Sequence, residues 1–357
     1  MNKIIKVFKQ KCNRTGYLYF YVHLITELIC FYVLGKVIGN NFVLWLSPLI
    51  YDTLAFAPQS LIGYVNDKYP KLNFGIIGVV LLTFGLIAFS LNLFSSDYLE
   101  IVLVSLGNAF IHVAGAEVTL KSSDGKLSPS AIFVGGGSFG VIAGKLLSST
   151  NLSFWFLTAL SLTMIPFMIL ADMYKNESSS SSLSCQKFNY QNLKLNPNLI
   201  LLLTVFIVMV RAYMGYGIPT SWNKTVIQTV ALYFAMGIGK SMGGTLSDAF
   251  GARKIAFISI IGALPFLLFG DNFMMISLIG VLLFSLTMPI TLGILVSVLK
   301  RTPGLAFGLT TIGLLLGTLP IFFVRFSTKI NCIIILILTL ICILIVNKVI
   351  RKTEVLE

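Results

Sequence analysis

Charge is scarce in this chain. Of its 357 residues only 11% are Asp, Glu, Lys or Arg, against about 25% in ordinary soluble domains. The length is enough for two soluble domains, but so few charges could not cover their surfaces. Acidic groups are the rarer sign, 13 against 26 basic ones, and there are only two histidines, His23 and His112. The five cysteines form no Cys-x-x-Cys pair, so neither a disulfide framework nor a zinc site is expected. No phosphate-binding loop is present. The nearest match, Gly239-Lys240-Ser241, has Phe234 where the first glycine would stand and lies in an apolar run; ATP drive is not expected. Hydrolase motifs are missing too. These absences exclude a soluble enzyme, a disordered protein and a secreted disulfide scaffold. What remains is apolar: 56% of residues are hydrophobic and mean hydropathy is +0.91. The composition predicts a polytopic membrane protein.

A helix crossing about 30 Å of hydrocarbon needs about 20 mostly apolar residues. Twelve stretches qualify: 16–39, 42–65, 72–93, 98–119, 127–148, 153–174, 198–220, 226–247, 253–270, 273–299, 302–324 and 330–349. Their long unbroken runs argue against a barrel of alternating strands. Almost nothing is left for loops. With the N-terminus placed inside, 19 basic residues fall in inside segments and five outside, namely Lys36, Lys145, Lys224, Arg325 and Lys329. Arg211 and Lys240 lie within spans. That asymmetry predicts cytoplasmic termini, and it accounts for the net charge of +13 without nucleic acid. The basic N-terminus leads into a run too long for a signal-peptide core, so the first span is expected to be retained.

The longest polar stretch, 175–197, carries a serine run typical of a linker. It divides the chain into 1–174 and 198–357, six spans each. A repeat supports the division. Span two ends in Gly63-Tyr-Val-Asn-Asp67-Lys-Tyr-Pro-Lys71, and span eight in Gly244-Thr-Leu-Ser-Asp248-Ala-Phe-Gly-Ala-Arg253-Lys254. Spans five and eleven echo each other in Ser138-Phe-Gly140-Val-Ile-Ala-Gly144 and Thr311-Ile-Gly313-Leu-Leu-Leu-Gly317.

Twelve spans, a central linker and a Gly-x-x-x-Asp-x-x-Gly-x-Arg-Lys loop resemble the major facilitator superfamily. The resemblance implies an all-α membrane protein of two six-helix halves. It further implies a cytoplasmic gate in which Asp67 and Asp248 pair with basic groups, Arg253 and Lys254 being the motif's own. The first copy is degenerate: Pro70 stands near the second glycine and no arginine follows. Within the superfamily, Gly107-Asn-Ala-Phe-Ile-His112-Val-Ala-Gly115 and Phe133-Val-Gly135-Gly-Gly-Ser-Phe-Gly140-Val-Ile-Ala-Gly144-Lys145 are similar to the fosmidomycin-resistance type exporters. That group tends to carry proline where Val113 and Lys145 stand here. Gly136, Gly140 and Gly144 repeat every fourth residue, as do Gly239 with Gly243, Gly304 with Gly308, and Gly313 with Gly317. Such stripes let helix backbones approach, either for static packing or at a moving interface.

Ionisable groups at membrane depth need a partner, water or a function. His23 and Glu27 are four apart in span one, and Asn108 and His112 four apart in span four; each pair shares a helix face. Asp52 is central in span two, Arg211 in span seven, and Lys240 lies in the inner half of span eight. Glu100, Glu117 and Lys145 lie nearer the interfaces, where structural roles suffice. The superfamily resemblance implies that His23, Glu27, Asn108, His112 and Arg211 converge on a central cavity, with Thr287, Met288, Pro289 and Thr291 added by span ten. Pro289 is expected to bend that span. Two readings of Glu27 stay open: a fixed pair with Arg211, or a proton site whose distance to Arg211 changes with conformation. His23, His112 and Asp52 are the other proton-coupling candidates, and Arg211, Asn108 and Thr287 the substrate-binding ones. Asp52 has Lys240 and Lys145 as possible partners. No contiguous ligand motif supports a metal site from His23, Glu27 and His112, and no metal or other cofactor is expected.

The expected function is proton-coupled export of a small anionic or zwitterionic solute by alternating access, not enzymatic turnover. Proton-coupled import and a non-transporting receptor or assembly factor are the alternatives. The expected partners are the solute, protons and the bilayer, without nucleic acid. A monomer in a bacterial plasma membrane is expected.

Overall fold

The computed structural model describes residues 2–39, 46–93, 98–178, 185–324 and 326–351. The start of the second expected span (42–45), most of the linker's serine run (179–184), and Arg325 and Lys352 of the basic-residue pattern lie outside the described residues.

The helices in chain order are α1 (Asn2–Phe8), α2 (Asn13–Gly39), α3 (Leu46–Phe56), α4 (Gln59–Lys68), α5 (Phe74–Leu91), α6 (Tyr98–Lys121), α7 (Ser128–Leu147), α8 (Phe154–Leu162), α9 (Met164–Ser178), α10 (Pro197–Gly217), α11 (Val226–Phe250), α12 (Ala252–Phe269), α13 (Met274–Ser285), α14 (Thr287–Val298), α15 (Pro303–Phe323) and α16 (Thr328–Val349). Lipid offers no partner for backbone N–H and C=O groups, so a spanning segment must satisfy them within itself. Each expected span is accordingly one helix or two helices in line. The chain is an integral, multi-pass membrane protein with an all-α fold.

Among the described residues, ten helical segments are long and apolar enough to cross a membrane. The two expected spans outside that set are the second, made of α3 and α4, and the eighth, α11. These are the spans that carry the repeated Gly-x-x-x-Asp motif. Their glycines and polar residues lower the hydropathy, and α4 and α11 pack against the opposite half of the protein.

Three spans are broken, each beside a proline. Pro58 stands at the entrance of α4. Pro166 and Pro289 sit in the first turns of α9 and α14, each just after a one-residue break, at Thr163 and Leu286. A proline inside a helix removes one N–H and crowds the carbonyl four residues earlier; here the break comes just ahead of it. Elsewhere the helix starts follow local capping. Asn73 Oδ1 accepts from Ile76 N at 3.0 Å, and Thr225 with Gln228 forms a reciprocal capping box.

The halves repeat the same packing. In the first, α2 packs on α7 and α5 on α6; in the second, α10 packs on α15 and α12 on α13. Glycine stripes explain the closest of these. A Cβ on Gly136, Gly140 or Gly144 would lie 2.3, 2.3 and 2.4 Å from the carbonyl oxygens of Phe20, Leu24 and Leu28, one turn apart along α2. On α15 a Cβ at Gly317 would lie 2.1 Å from Met209 O of α10. Gly239 and Gly243 meet Leu282 and Leu286 within the second half. These three stripes are packing inside a half. Gly304 and Gly308 differ: they face Gly63 and Ser60 of α4, across the halves.

Two local features add to the expected spans. The basic N-terminus forms α1, where only a flank to the first span is expected. The linker is tied down where it emerges: Gln191 bridges Ile350, and Tyr190 OH donates to Gly125 O at 2.9 Å.

Candidate functional site

Two features carry chemistry: a hydrogen-bonded junction between the halves and a polar cluster at mid-span.

The halves meet along α4 with α15 and α7 with α11. Asp67 of α4 accepts hydrogen bonds from Gly304 N at 3.1 Å and Leu305 N at 2.9 Å, at the start of α15. Asp248 of α11 accepts from Leu127 N at 2.9 Å and Ser128 N at 2.8 Å, at the start of α7. Each motif aspartate thus caps a helix of the other half. The first N–H groups of a helix lack internal partners and carry partial positive charge, so a carboxylate suits them. The motif's glycine stands one turn before the aspartate. A Cβ on Gly63 would lie 2.2 Å from Gly304 O, and one on Gly244 would lie 2.6 Å from Leu127 O. Glycine permits the approach and aspartate fastens it.

Among the described residues no ion pair within 4.0 Å joins either aspartate to a basic group. Backbone amides take that place, because they already present two aligned donors at a helix end. Arg253 donates instead to Ile350 O at 3.3 Å and to Asn347 Oδ1. Lys254 is exposed.

At mid-span, α2, α3 and α6 of the first half bring together His23, Glu27, Tyr51, Asn108 and His112, all buried. Asn108 Nδ2 donates to Glu27 Oε1 at 3.1 Å and to Tyr51 OH at 2.9 Å. Tyr51 OH donates in turn to Glu27 Oε2 at 3.5 Å. The two histidines meet edge to edge, Nε2 to Nε2 at 2.7 Å. Glu27 Oε1 lies 3.2 Å from His112 Nε2 and 3.7 Å from His23 Nε2.

The hydrogen-bond partners assign the ring protons. His23 Nδ1 lies 2.9 Å from Phe133 O, and His112 Nδ1 lies 2.9 Å from Asn108 O. A carbonyl oxygen only accepts, so both Nδ1 atoms carry hydrogen and donate. A neutral ring in that tautomer presents a bare lone pair at Nε2. Two lone pairs repel at 2.7 Å, whereas one proton between them makes a short hydrogen bond. With Glu27 ionised, that proton renders the buried cluster neutral.

The same three atoms are also a possible cation cage. A triangle with sides of 2.7, 3.2 and 3.7 Å has a circumradius of about 1.9 Å, within reach of a small divalent ion's ligand distances. The angle does not fit. With ligands at about 2.05 Å, a 2.7 Å nitrogen separation closes the N–metal–N angle to about 80°, against about 109° for a tetrahedral site. The geometry fits a shared proton.

The remaining expected residues lie elsewhere. Arg211 of α10 is buried in the second half, where Nη1 donates to Thr291 Oγ1 at 3.2 Å. Among the described residues no ion pair within 4.0 Å joins it to Glu27. Thr287 turns its hydroxyl back to Phe284 O at 2.8 Å. Lys240 of α11 reaches across the halves to Ser138 Oγ at 2.9 Å, and it lies within electrostatic range of Arg211 and Glu27. Asp52 lies outside the cluster, lining a cavity with Lys145. Sequence reasoning did not find Ser138, nor the amides that receive Asp67 and Asp248; an amide's availability leaves no mark on residue type.

No protein-family model matches the chain. Among curated proteins, the fosmidomycin resistance protein of Escherichia coli (strain K12) is 24% identical over 275 residues, which is 69% of this chain and 68% of that protein. Among solved structures, the human organic anion transporter TETRAN aligns with a TM-score of 0.65 at 12% identity, over 95% of this chain and 100% of that one. A variant of the Escherichia coli fucose:proton symporter aligns with a TM-score of 0.62 at 12% identity, over 97% and 99%.

Proposed function

We propose that this chain, which has the major facilitator fold, is a secondary active transporter that couples a small organic solute to protons by alternating access. The observation that carries the coupling is the 2.7 Å contact between His23 and His112 beside Glu27. A neutral buried cluster holds its proton until water or a compensating cation arrives, since a bare buried carboxylate is costly. The charged and titratable groups around it are Tyr51, Cys30 and Asp52 in the first half and Arg211 and Lys240 in the second. Movement of the second half toward Glu27 brings those cations closer and favours proton release. At mid-span, inward of the outer cavity, Arg211 is the contact we assign to the acid group of an anionic or zwitterionic solute in transit.

We place the termini in the cytoplasm on the basic-residue pattern, and the protein in a bacterial plasma membrane. The gate closed by Asp67 and Asp248 is then cytoplasmic, and this conformation faces outward. Export is the direction we favour, because the curated relative is named for fosmidomycin resistance. Comparing intracellular accumulation with and without the gene separates export from import.

The test uses proteoliposomes with an imposed pH gradient and a panel of small anions and zwitterions. Accumulation should follow the gradient and vanish when an ionophore collapses it. His112→Gln and Glu27→Gln should each abolish coupled flux. Flux indifferent to the gradient would overturn proton coupling. Stoichiometric zinc on the purified protein, lost in His112→Gln, would overturn the proton assignment of the histidine pair.

A further inference from the structure

On the side away from the termini the halves part around a cavity of about 310 Å³. Its walls come from both halves: Phe31, Asp52 and Lys145 from the first, Tyr216, Ile321 and Phe322 from the second. Its size is that of a small-ligand pocket.

Two opposite charges line this mostly apolar space. A carboxylate and an ammonium facing one cavity attract and close on each other unless held apart. Lys145 is held. Its Nζ donates to Tyr233 OH of α11 at 2.7 Å, and it lies 5.5 Å over the Phe31 ring and 5.0 Å over the Tyr233 ring. Asp52 is half-buried on the facing helix α3. Among the described residues nothing hydrogen-bonds its carboxylate, and no contact within 4.0 Å joins it to Lys145. The two groups line the same cavity without meeting.

We propose that this cavity is an outer recognition site for a small zwitterion with an apolar body. The cationic group pairs with Asp52 and the acid group with Lys145, while the body lies against Phe31, Tyr216 and Phe322. A plain cation would face Lys145 unbalanced, and a plain anion would face Asp52; a zwitterion completes both charges and displaces neither. The site adjoins the histidine cluster, Asp52 following Tyr51 in α3, and shares none of its hydrogen bonds. It rests on the transport reading and names the class of solute that reading leaves open.

The test is protection of Ile321→Cys from a maleimide, on the purified full-length chain in nanodiscs with the native cysteines replaced. The probes are phenylalanine, phenethylamine and 3-phenylpropionate, which share one body and carry both charges, the cation alone or the anion alone. Phenylalanine should protect at a concentration about tenfold or more below either fragment. Asp52→Asn should raise its half-protecting concentration about tenfold while leaving that of 3-phenylpropionate unchanged or lower. Lys145→Gln should do the same with respect to phenethylamine. Asp52→Glu keeps the charge and should retain protection, which separates a charge effect from a folding defect. Equal protection by the three probes, protection by none, or indifference to both charge-removing substitutions would overturn the proposal. No gradient enters this assay. Probe protection without gradient-driven flux would leave the site standing and remove the transport reading. Gradient-driven flux of another solute without protection would remove the site alone.

Discussion

Removing the two aspartate caps should open the end of the protein that bears the termini. Asp67 and Asp248 each accept two backbone N–H groups at 2.8–3.1 Å from a helix of the opposite half. A hydrogen bond to a charged group contributes about 1.5–3 kcal/mol to stability. Opening rehydrates both partners, which brings the expected cost of a lost cap to about 0.5–2 kcal/mol. A value of about 1.4 kcal/mol is a factor of about ten in the closed-to-open ratio. Asp67 acts between α4 and α15, and Asp248 between α7 and α11, with no shared partner. Their effects should therefore add, giving about a hundredfold for Asp67→Ala with Asp248→Ala. Spin labels at Leu72 and Phe250, both exposed at that end and in different halves, report the change by pulsed electron resonance. The double variant should gain a longer-distance population, and each single variant a smaller one. Gly63→Ala should move the same way with the cap residue intact, because its Cβ would lie 2.2 Å from Gly304 O. An unchanged distance distribution in a double variant that still melts cooperatively would refute the capping account.

Gly137→Ala should impair proton coupling with little loss of folded protein, since its Cβ would lie 2.3 Å from His23 Nε2 and must turn that ring away from His112; solute-evoked proton flux in vesicles measures it. Gly140→Ala should cost several kcal/mol and reduce folded yield, its Cβ meeting Leu24 O at 2.3 Å. Gly215→Ala, where nothing lies within 4 Å, should be tolerated, and thermal melting in detergent compares the two. Arg211→Gln should weaken solute binding while leaving stability nearly unchanged, because Arg211 contacts Thr291 and not Glu27. If Arg211→Gln instead rescues a misfolded Glu27→Gln, the two residues form a structural pair in another conformation.

The sequence by itself determined the solvent this protein folds in and the apolar runs that become its helices. Apolar runs near 20 residues leave no other way to satisfy the backbone, so the spans were legible to within a few residues. The repeated Gly-x-x-x-Asp motif and the four-residue glycine spacing were legible too, as were the i, i+4 pairs His23–Glu27 and Asn108–His112, because each is a property of one helix. Partner choice was not. It depends on which faces meet when helices far apart in the chain pack together. Only the tertiary structure set His23 against His112, gave Arg211 to Thr291, turned Asp67 and Asp248 onto the amides of another helix, and placed Asp52 and Lys145 across one cavity. A carboxylate at a helix end reads the same in sequence whether it meets a lysine, water or a helix N-terminus; the packing of the opposite half decides.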